Sequence, residues 1–279
     1  MKRNFRLDAL VLLVTLSFCS RQTTREQLPG LGASATHSRA KHSVDTIGVY
    51  NPSNSTFLLR TSNTSGFADI TVRFGAPDDL PITGDWDGDG IDTVGIFRPS
   101  TSTFLLRNEN ESGAPDIVVP FGSPGDWPLA GDWNGDGKDS IGVYRPSNST
   151  FYLRNLLASG KPDRTIQFGR SGDLPIAGDW DGNGKDSIGF YRPADSTFHL
   201  RKSLDKADEE VFKLTGDSYA GFVPVAADWD GNGADTVGLF ARGEFLIRYE
   251  NKTGPPDVAI PYGLRSHKPL AGVWTSKAR

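Results

Sequence analysis

At 279 residues, with 37% hydrophobic and 10% aromatic content, the chain can build a core as one large or two ordinary domains. A formal net charge of −4 and the lack of a Lys/Arg block in its body exclude a general nucleic-acid binder, and the single cysteine excludes an intrachain disulfide. Gly at 32 and Pro at 18 favour many short strands joined by turns over long helices.

The N-terminus, MKRNFRLDALVLLVTLSFCS, has a basic start and a short apolar run from Ala9 to Phe18. That is the anatomy of a secretory signal peptide (residues 1–19), and the run is short for an ordinary membrane span; an uncleaved anchor is the other reading. Cys19 closes the run and resembles the lipid-modified cysteine of bacterial lipoproteins, although Phe18 stands where that signal has a small residue. The alternative is a cysteine removed with the signal. Membrane attachment is expected only through such a lipid. Residues 20–43 show no periodicity and read as a flexible linker.

From residue 44 to 279 the chain repeats itself. Trp86, Trp133, Trp180, Trp229 and Trp274 lie 47, 47, 49 and 45 residues apart. A second element keeps the same interval: DTIGVYNP (45–52), DTVGIFRP (92–99), DSIGVYRP (139–146), DSIGFYRP (186–193) and DTVGLFAR (235–242). A third follows: TFLLR (56–60), TFLLR (103–107), TFYLR (150–154), TFHLR (197–201) and EFLIR (244–248). A less regular segment such as DIVVPFG (116–122) and a proline-led approach such as WPLAGDW (127–133) complete each unit.

These runs are short, rich in Val, Ile, Phe, Tyr and Thr, and bounded by Gly, Pro, Asn or Asp, which are strand signals. In TFLLR the Phe and second aliphatic share one face, as Phe57 and Leu59 do, while the residue between them varies. Four strands in ~47 residues make one blade of a β-propeller. The predicted fold is therefore all-β, a five-bladed propeller of four-stranded repeats; a parallel β-helix is the competing repeat architecture. The glycine of the second element (Gly48, Gly95, Gly142, Gly189, Gly238) is expected where neighbouring sheets approach closely. The first unit lacks its leading strand and the chain ends just after one, PLAGVW (269–274). Pairing of that C-terminal strand with the N-terminal blade would close the ring and remove a raw sheet edge.

Between the first and second strands lie GDWDGDG (84–90), GDWNGDG (131–137), GDWDGNG (178–184) and ADWDGNG (227–233), each followed by a further Asp. Carboxylates so close repel one another unless a cation or turn amides stabilise them. Oxygen ligands at positions 1, 3 and 5, with Gly at 6, match the first half of a calcium loop, position 7 offering its carbonyl. A metal-free Asp/Gly turn is the alternative. The loops and the recurring Y/F-R-P strand ends resemble the FG-GAP/VCBS-type calcium repeats of integrin-like propellers and many secreted bacterial proteins, over roughly residues 44–274. The resemblance implies up to four Ca2+ ions, held by Asp85, Asp87, Asp89; Asp132, Asn134, Asp136; Asp179, Asp181, Asn183; and Asp228, Asp230, Asn232. The closing acid departs from the family pattern. Asp92, Asp139, Asp186 and Asp235 stand at position 8, and a hydroxyl (Thr93, Ser140, Ser187, Thr236) stands at position 9 where the family commonly has the acid. The closing ligand is therefore the Asp, the hydroxyl or a water.

No catalytic residues are assigned. The histidines are scattered, and there is no nucleophile elbow, HExxH or Walker-type loop. The recurring arginines (Arg60, Arg107, Arg154, Arg201, Arg248; Arg98, Arg145, Arg192) are expected to pair with acids or cover a sheet edge rather than bind an anion. The loop tryptophans are expected to wedge between blades rather than form a sugar platform. Two breaks in the repeat point to a ligand face or to tolerated loop variation: Trp127, as a candidate exposed aromatic, and the charged segment 202–222. The expectation is an exported, calcium-stabilised binding or adhesion module for surface carbohydrate or an extracellular protein. The alternatives are a calcium-dependent hydrolase with its site in the central channel, and a purely structural scaffold.

Overall fold

The computed structural model describes residues 43–274 apart from 217, 218 and 220. The expected signal segment, Cys19 and the linker as far as residue 42 lie outside the described residues.

Five four-stranded antiparallel sheets form the blades of a five-bladed β-propeller, and among the described residues there is no helix. Blade 1 holds β1 (Thr46–Asn51), β2 (Thr56–Leu59) and β3 (Ile70–Arg73), with β20 (Lys268–Gly272) paired to the inner side of β1. Blade 2 is β4 (Leu80–Gly84), β5 (Thr93–Arg98), β6 (Thr103–Leu106) and β7 (Ile117–Pro120). Blade 3 is β8 (Trp127–Gly131), β9 (Ser140–Arg145), β10 (Thr150–Leu153) and β11 (Arg164–Gln167). Blade 4 is β12 (Leu174–Gly178), β13 (Ser187–Arg192), β14 (Thr197–Leu200) and β15 (Glu210–Lys213). Blade 5 is β16 (Val223–Ala227), β17 (Thr236–Ala241), β18 (Glu244–Ile247) and β19 (Val258–Pro261).

The innermost strands β4, β8, β12, β16 and β20 neighbour one another in that order, and β20 returns to β4. Closure is therefore made by the last strand pairing with the first, in the register Thr46↔Gly272 to Tyr50↔Lys268. The hydrogen-bond ladder joins the first and last described strands as it joins neighbouring strands of any other blade.

Each second strand is buried along its length because it is flanked by strands on both sides and by blades on both faces. The third strands alternate, with Phe57 and Leu59 buried and Leu58 half-buried. A single blade could not cover both of its faces, and the core shows how the ring solves this. Every hydrophobic cluster joins two successive blades. Trp86 packs with Ile141 and Val143, Trp133 with Ile188 and Phe190, and Trp229 with Ile47 and Val49. Trp180 lies with Val237 and Leu239, and Trp274 with Val94 and Ile96. The tryptophans are wedges, buried to 6% exposure or less, so none of the five is a sugar platform.

The glycine of the second element plays a different part from the one expected. A Cβ at Gly95 would stand 2.6 Å from Leu106 Cδ2 and 3.0 Å from Ile82 Cγ2, both from flanking strands of its own blade. Leucines of the same sheet lean over it; no neighbouring sheet is involved. The close approach between blades falls instead on the glycine before the Asp-Trp pair. At Gly131 a Cβ would meet Asp186 Oδ2 of the next blade at 2.8 Å.

The outermost strands face the edge-pairing problem, and the next blade deals with part of it. Arg73 N donates to Ser112 Oγ of blade 2 (2.9 Å), and Lys213 N donates to Thr253 Oγ1 of blade 5 (3.2 Å). At the same register β7 and β19 carry Pro120 and Pro261, which have no donor to satisfy.

Candidate functional site

Each acidic loop is built around its first carboxylate. Asp85 Oδ1 accepts from the amides of Gly88 (2.8 Å) and Asp89 (3.1 Å), and its Oδ2 accepts from Gly90 N (2.8 Å). Gly88 and Gly90 have φ of 79° and 86°, which lets the chain curl around the carboxylate. Asp132 and Asp228 hold their loops in the same way, and Asp179 accepts from Asn183 and Gly184. The turn amides thus account for part of the acid pattern.

They do not account for all of it. The carboxylate oxygens of Asp85, Asp87 and Asp89 lie within 4.8 Å of one another, and Asp87 and Asp89 are exposed. Burial is the main cause that raises the Asp85 carboxyl above the usual carboxylate range; the loop amides oppose it and the Asp89 charge adds to it. Asp179 is raised in the same way, with Asp181 as the neighbouring charge. An ionised carboxylate has about four acceptor positions, and three of those on Asp85 are taken by amides. One remains, and Asp87 and Asp89, whose Oδ1 atoms accept from Asp89 N and Ile91 N, each keep an Oδ2, so oxygens are left over of the kind a hard cation such as Ca2+ takes.

The fourth acid of each unit is not part of that triad. Asp139 Oδ2 accepts from Asp85 N (2.9 Å) while Asp139 N donates to Asp85 O (2.8 Å), so the residue clasps the loop entry of the preceding blade. Asp186 makes the same pair of bonds to Asp132, Asp235 to Asp179, and Asp45 to Asp228. Asp92 makes it to Val273, in the one unit whose sequence, AGVW, carries no acids. The hydroxyl at position 9 turns away as well: Thr93 Oγ1 donates to Arg107 O at 2.7 Å and Ser140 Oγ to Arg154 O at 2.6 Å. Five aspartates therefore fasten five interfaces. They also crowd one another. Burial and the charges of Asp186 and Asp92 push the Asp139 carboxyl well above its ordinary range, and Asp235 is raised by burial, Asp186 and Asp45.

Both arginine sets are engaged with acids or backbone. Arg98, Arg145 and Arg192 form two-pronged pairs with Asp79, Asp126 and Asp173, at 2.7–3.0 Å. Each of these buried acids also accepts from an amide three residues earlier, capping a tight turn. Sequence reasoning missed these acids, although the repeat carried the signal. In blade 5 both members are absent together (Ala241 and Phe222), and in blade 1 both are replaced (Asn51 and His267). His267 Nδ1 accepts from Leu264 N at 3.2 Å, taking over the turn-capping role, and burial lowers its pKa. Arg60, Arg107, Arg154 and Arg248 reach into their outer loops, donating to carbonyl oxygens and pairing with Asp69, Asp116, Asp163 and Asp257.

Blade 4 departs from this rule. Arg201 lies over the Phe168 ring, 4.1 Å from its centroid. Glu209, at the register of the missing Asp, bonds His199, which stacks on Phe190 at 4.5 Å. The unusual segment 202–222 contributes partly to the core: Tyr219 is buried, and Phe222 packs against the same cluster. Trp127 is not the exposed aromatic expected. It is half-buried and packs near Tyr144, with ring centroids 6.2 Å apart.

No family model matches the chain, and no curated protein matches it in sequence. Two solved structures are similar at the level of fold. One is BBS1N in complex with ARL6DN, at 10% identity and a TM-score of 0.38, the match covering 79% of this chain and 61% of that one. The other is an Agrocybe aegerita lectin described as recognising non-reducing terminal N-acetylglucosamine, at 13% identity and a TM-score of 0.41, covering 77% and 65%. The chain thus spans less than two thirds of the length of either.

Proposed function

We propose that this chain is an exported, calcium-stabilised propeller of the FG-GAP/VCBS type that serves as a binding module, with surface carbohydrate as its ligand. The observation supporting it is the division of labour among the side chains. The inner contacts are the same in every blade, as a frame requires, while the residues of the outer rim change from blade to blade, as a recognition surface requires. Asp85, Asp87 and Asp89, with the corresponding residues of the next three loops, would hold calcium and neutralise the loops. Export fits this reading, because extracellular calcium saturates sites as weak as about 10⁻⁴ to 10⁻³ M.

Two measurements test the proposal. Chelator should lower the melting temperature and calcium restore it, by roughly 1.4 kcal/mol for each site at ten times its dissociation constant. An unchanged melt removes calcium from the proposal. A glycan array, with and without calcium, tests the ligand class, and a blank array on folded protein leaves the protein-partner reading in its place.

A further inference from the structure

Between blades 2 and 3 lies a cavity of about 510 Å³, open to solvent, whose lining includes Phe121, Val143, Arg145, Tyr152, Lys161 and Ser102. Three features of sequence and packing mark it out when it is compared with other interfaces round the ring. Blade 3 has the small Val143 where blade 4 has Phe190. Arg154 is drawn into its own loop, where it donates to Lys161 O, whereas the equivalent Arg201 lies over Phe168. The third feature is Pro120, which has no amide with which to bind the next blade's loop as Arg73 and Lys213 do, and the segment 160–162 lines the opening.

The chemistry of the wall is specific. Arg145 is held by Asp126 through Nε and Nη2, and its guanidinium lies 4.5 Å from the centre of the Tyr152 ring. Nη1 is the edge that Asp126 leaves over. Lys161 is exposed and forms no ion pair among the described residues. Asp126 itself, at 1% exposure, is sealed beneath Arg145 and presents no opposing charge to the opening. Hydroxyls of Thr101 and Ser102 and the aliphatic faces of Pro120, Pro162 and Val143 complete the lining.

We infer that this groove binds a carboxylated sugar, a uronic acid residue of an acidic polysaccharide. The carboxylate is met by Lys161 and the Arg145 edge, the hydroxyls by Thr101 and Ser102, and the apolar ring face by the prolines and Val143. The volume lies within the ~300–1,000 Å³ range of small-molecule sites. The inference rests on the carbohydrate reading above and narrows it to one interface and one ligand class.

Two substitutions taken from blade 2 itself test it without importing foreign chemistry: Tyr152→Leu, as at Leu105, and Lys161→Ala, as at Ala114. Calorimetric titration would compare a tri-galacturonate with a neutral glucose trisaccharide, against the wild type and both variants. The expected result is binding of the acidic sugar, at least tenfold weaker in each variant, with the neutral sugar at least tenfold weaker on the wild type. Equal binding of the two sugars overturns the acidic class. Acidic-sugar binding that neither variant weakens overturns the groove while leaving carbohydrate recognition standing. Failure of every glycan on folded protein overturns this inference and the carbohydrate reading together.

Discussion

The inner ring of the propeller and its outer rim are built from the same repeat under different constraints. At the ring, an aspartate of one blade exchanges two hydrogen bonds with the strand end of the blade before it, five times over, with a buried tryptophan beside each contact. At the rim, the last residue of the outermost strand reads Arg73, Pro120, Gln167, Lys213 and Pro261, all exposed. A closed ring needs each interface to turn by the same amount, so its contacts cannot vary independently. The rim carries no such condition, because its outer strands are not joined edge to edge round the ring. Chemical variety on this molecule is therefore greatest where closure does not depend on it.

The strongest test of that contrast is to truncate one residue of each kind. Trp133→Ala empties a wedge between blades 3 and 4 and should cost about 3–5 kcal/mol, read by urea denaturation. Gln167→Ala, on the exposed face of outermost strand β11, should leave the same curve within ~0.5 kcal/mol. Comparable losses would abolish the distinction.

The arginine clamps lie between these extremes. Asp126→Ala strands the Arg145 guanidinium and the Ser123 amide, and should cost about 1.5–3 kcal/mol. The double variant Asp126→Phe with Arg145→Ala reproduces the Phe222 and Ala241 of blade 5 and should recover at least half of that loss. If the pair is no better than the single change, the clamp is not the interchangeable module that blade 5 implies.

The smallest effect expected is also the one most particular to the ring. Because the Asp139 carboxyl is raised in the fold, its contribution to stability is present below the ordinary carboxylate value and is lost as pH rises through the folded-state value. Asp139→Asn keeps an acceptor for Asp85 N and removes a charge from among Asp92, Asp186 and Asp85. In chelator, the variant should gain on the wild type as pH rises from about 4 to about 8. A constant difference across that range would show that the aspartates of the ring do not feel one another.

Much of this architecture could be read from the chain. The interval of the tryptophans counts the blades, and PLAGVW at one end with DTIGVY at the other states how they close. The fourth acid was legible too, but the sequence left open whether it closes its own loop, and the structure shows it bonded to the preceding blade. Reading it as part of its own loop follows from spacing alone, since Asp92 lies three residues from Asp89. Yet Asp45 has the same D-T-I-G context with no acidic loop before it, and five aspartates against four loops already implied a role other than metal binding. Likewise, the joint loss of Arg and Asp at Ala241 and Phe222 marked a pair whose members stand nineteen residues apart. The burial of Trp127 was not legible, because departure from a repeat does not indicate which face of the strand carries it.

What the sequence determined by itself was everything set by the backbone's local needs: strand starts, turns, the number of units and which two strands close the ring. Hydrogen-bonded strands and glycine turns recur with a period, and a period is visible in one dimension. Only the tertiary structure decided which side chains meet across blades. It turned an acid cluster into a loop triad and an interblade clasp, and placed Val143, Tyr152 and Lys161 around one opening. Those partnerships depend on how one sheet stacks on the next, and no spacing within a single blade encodes it.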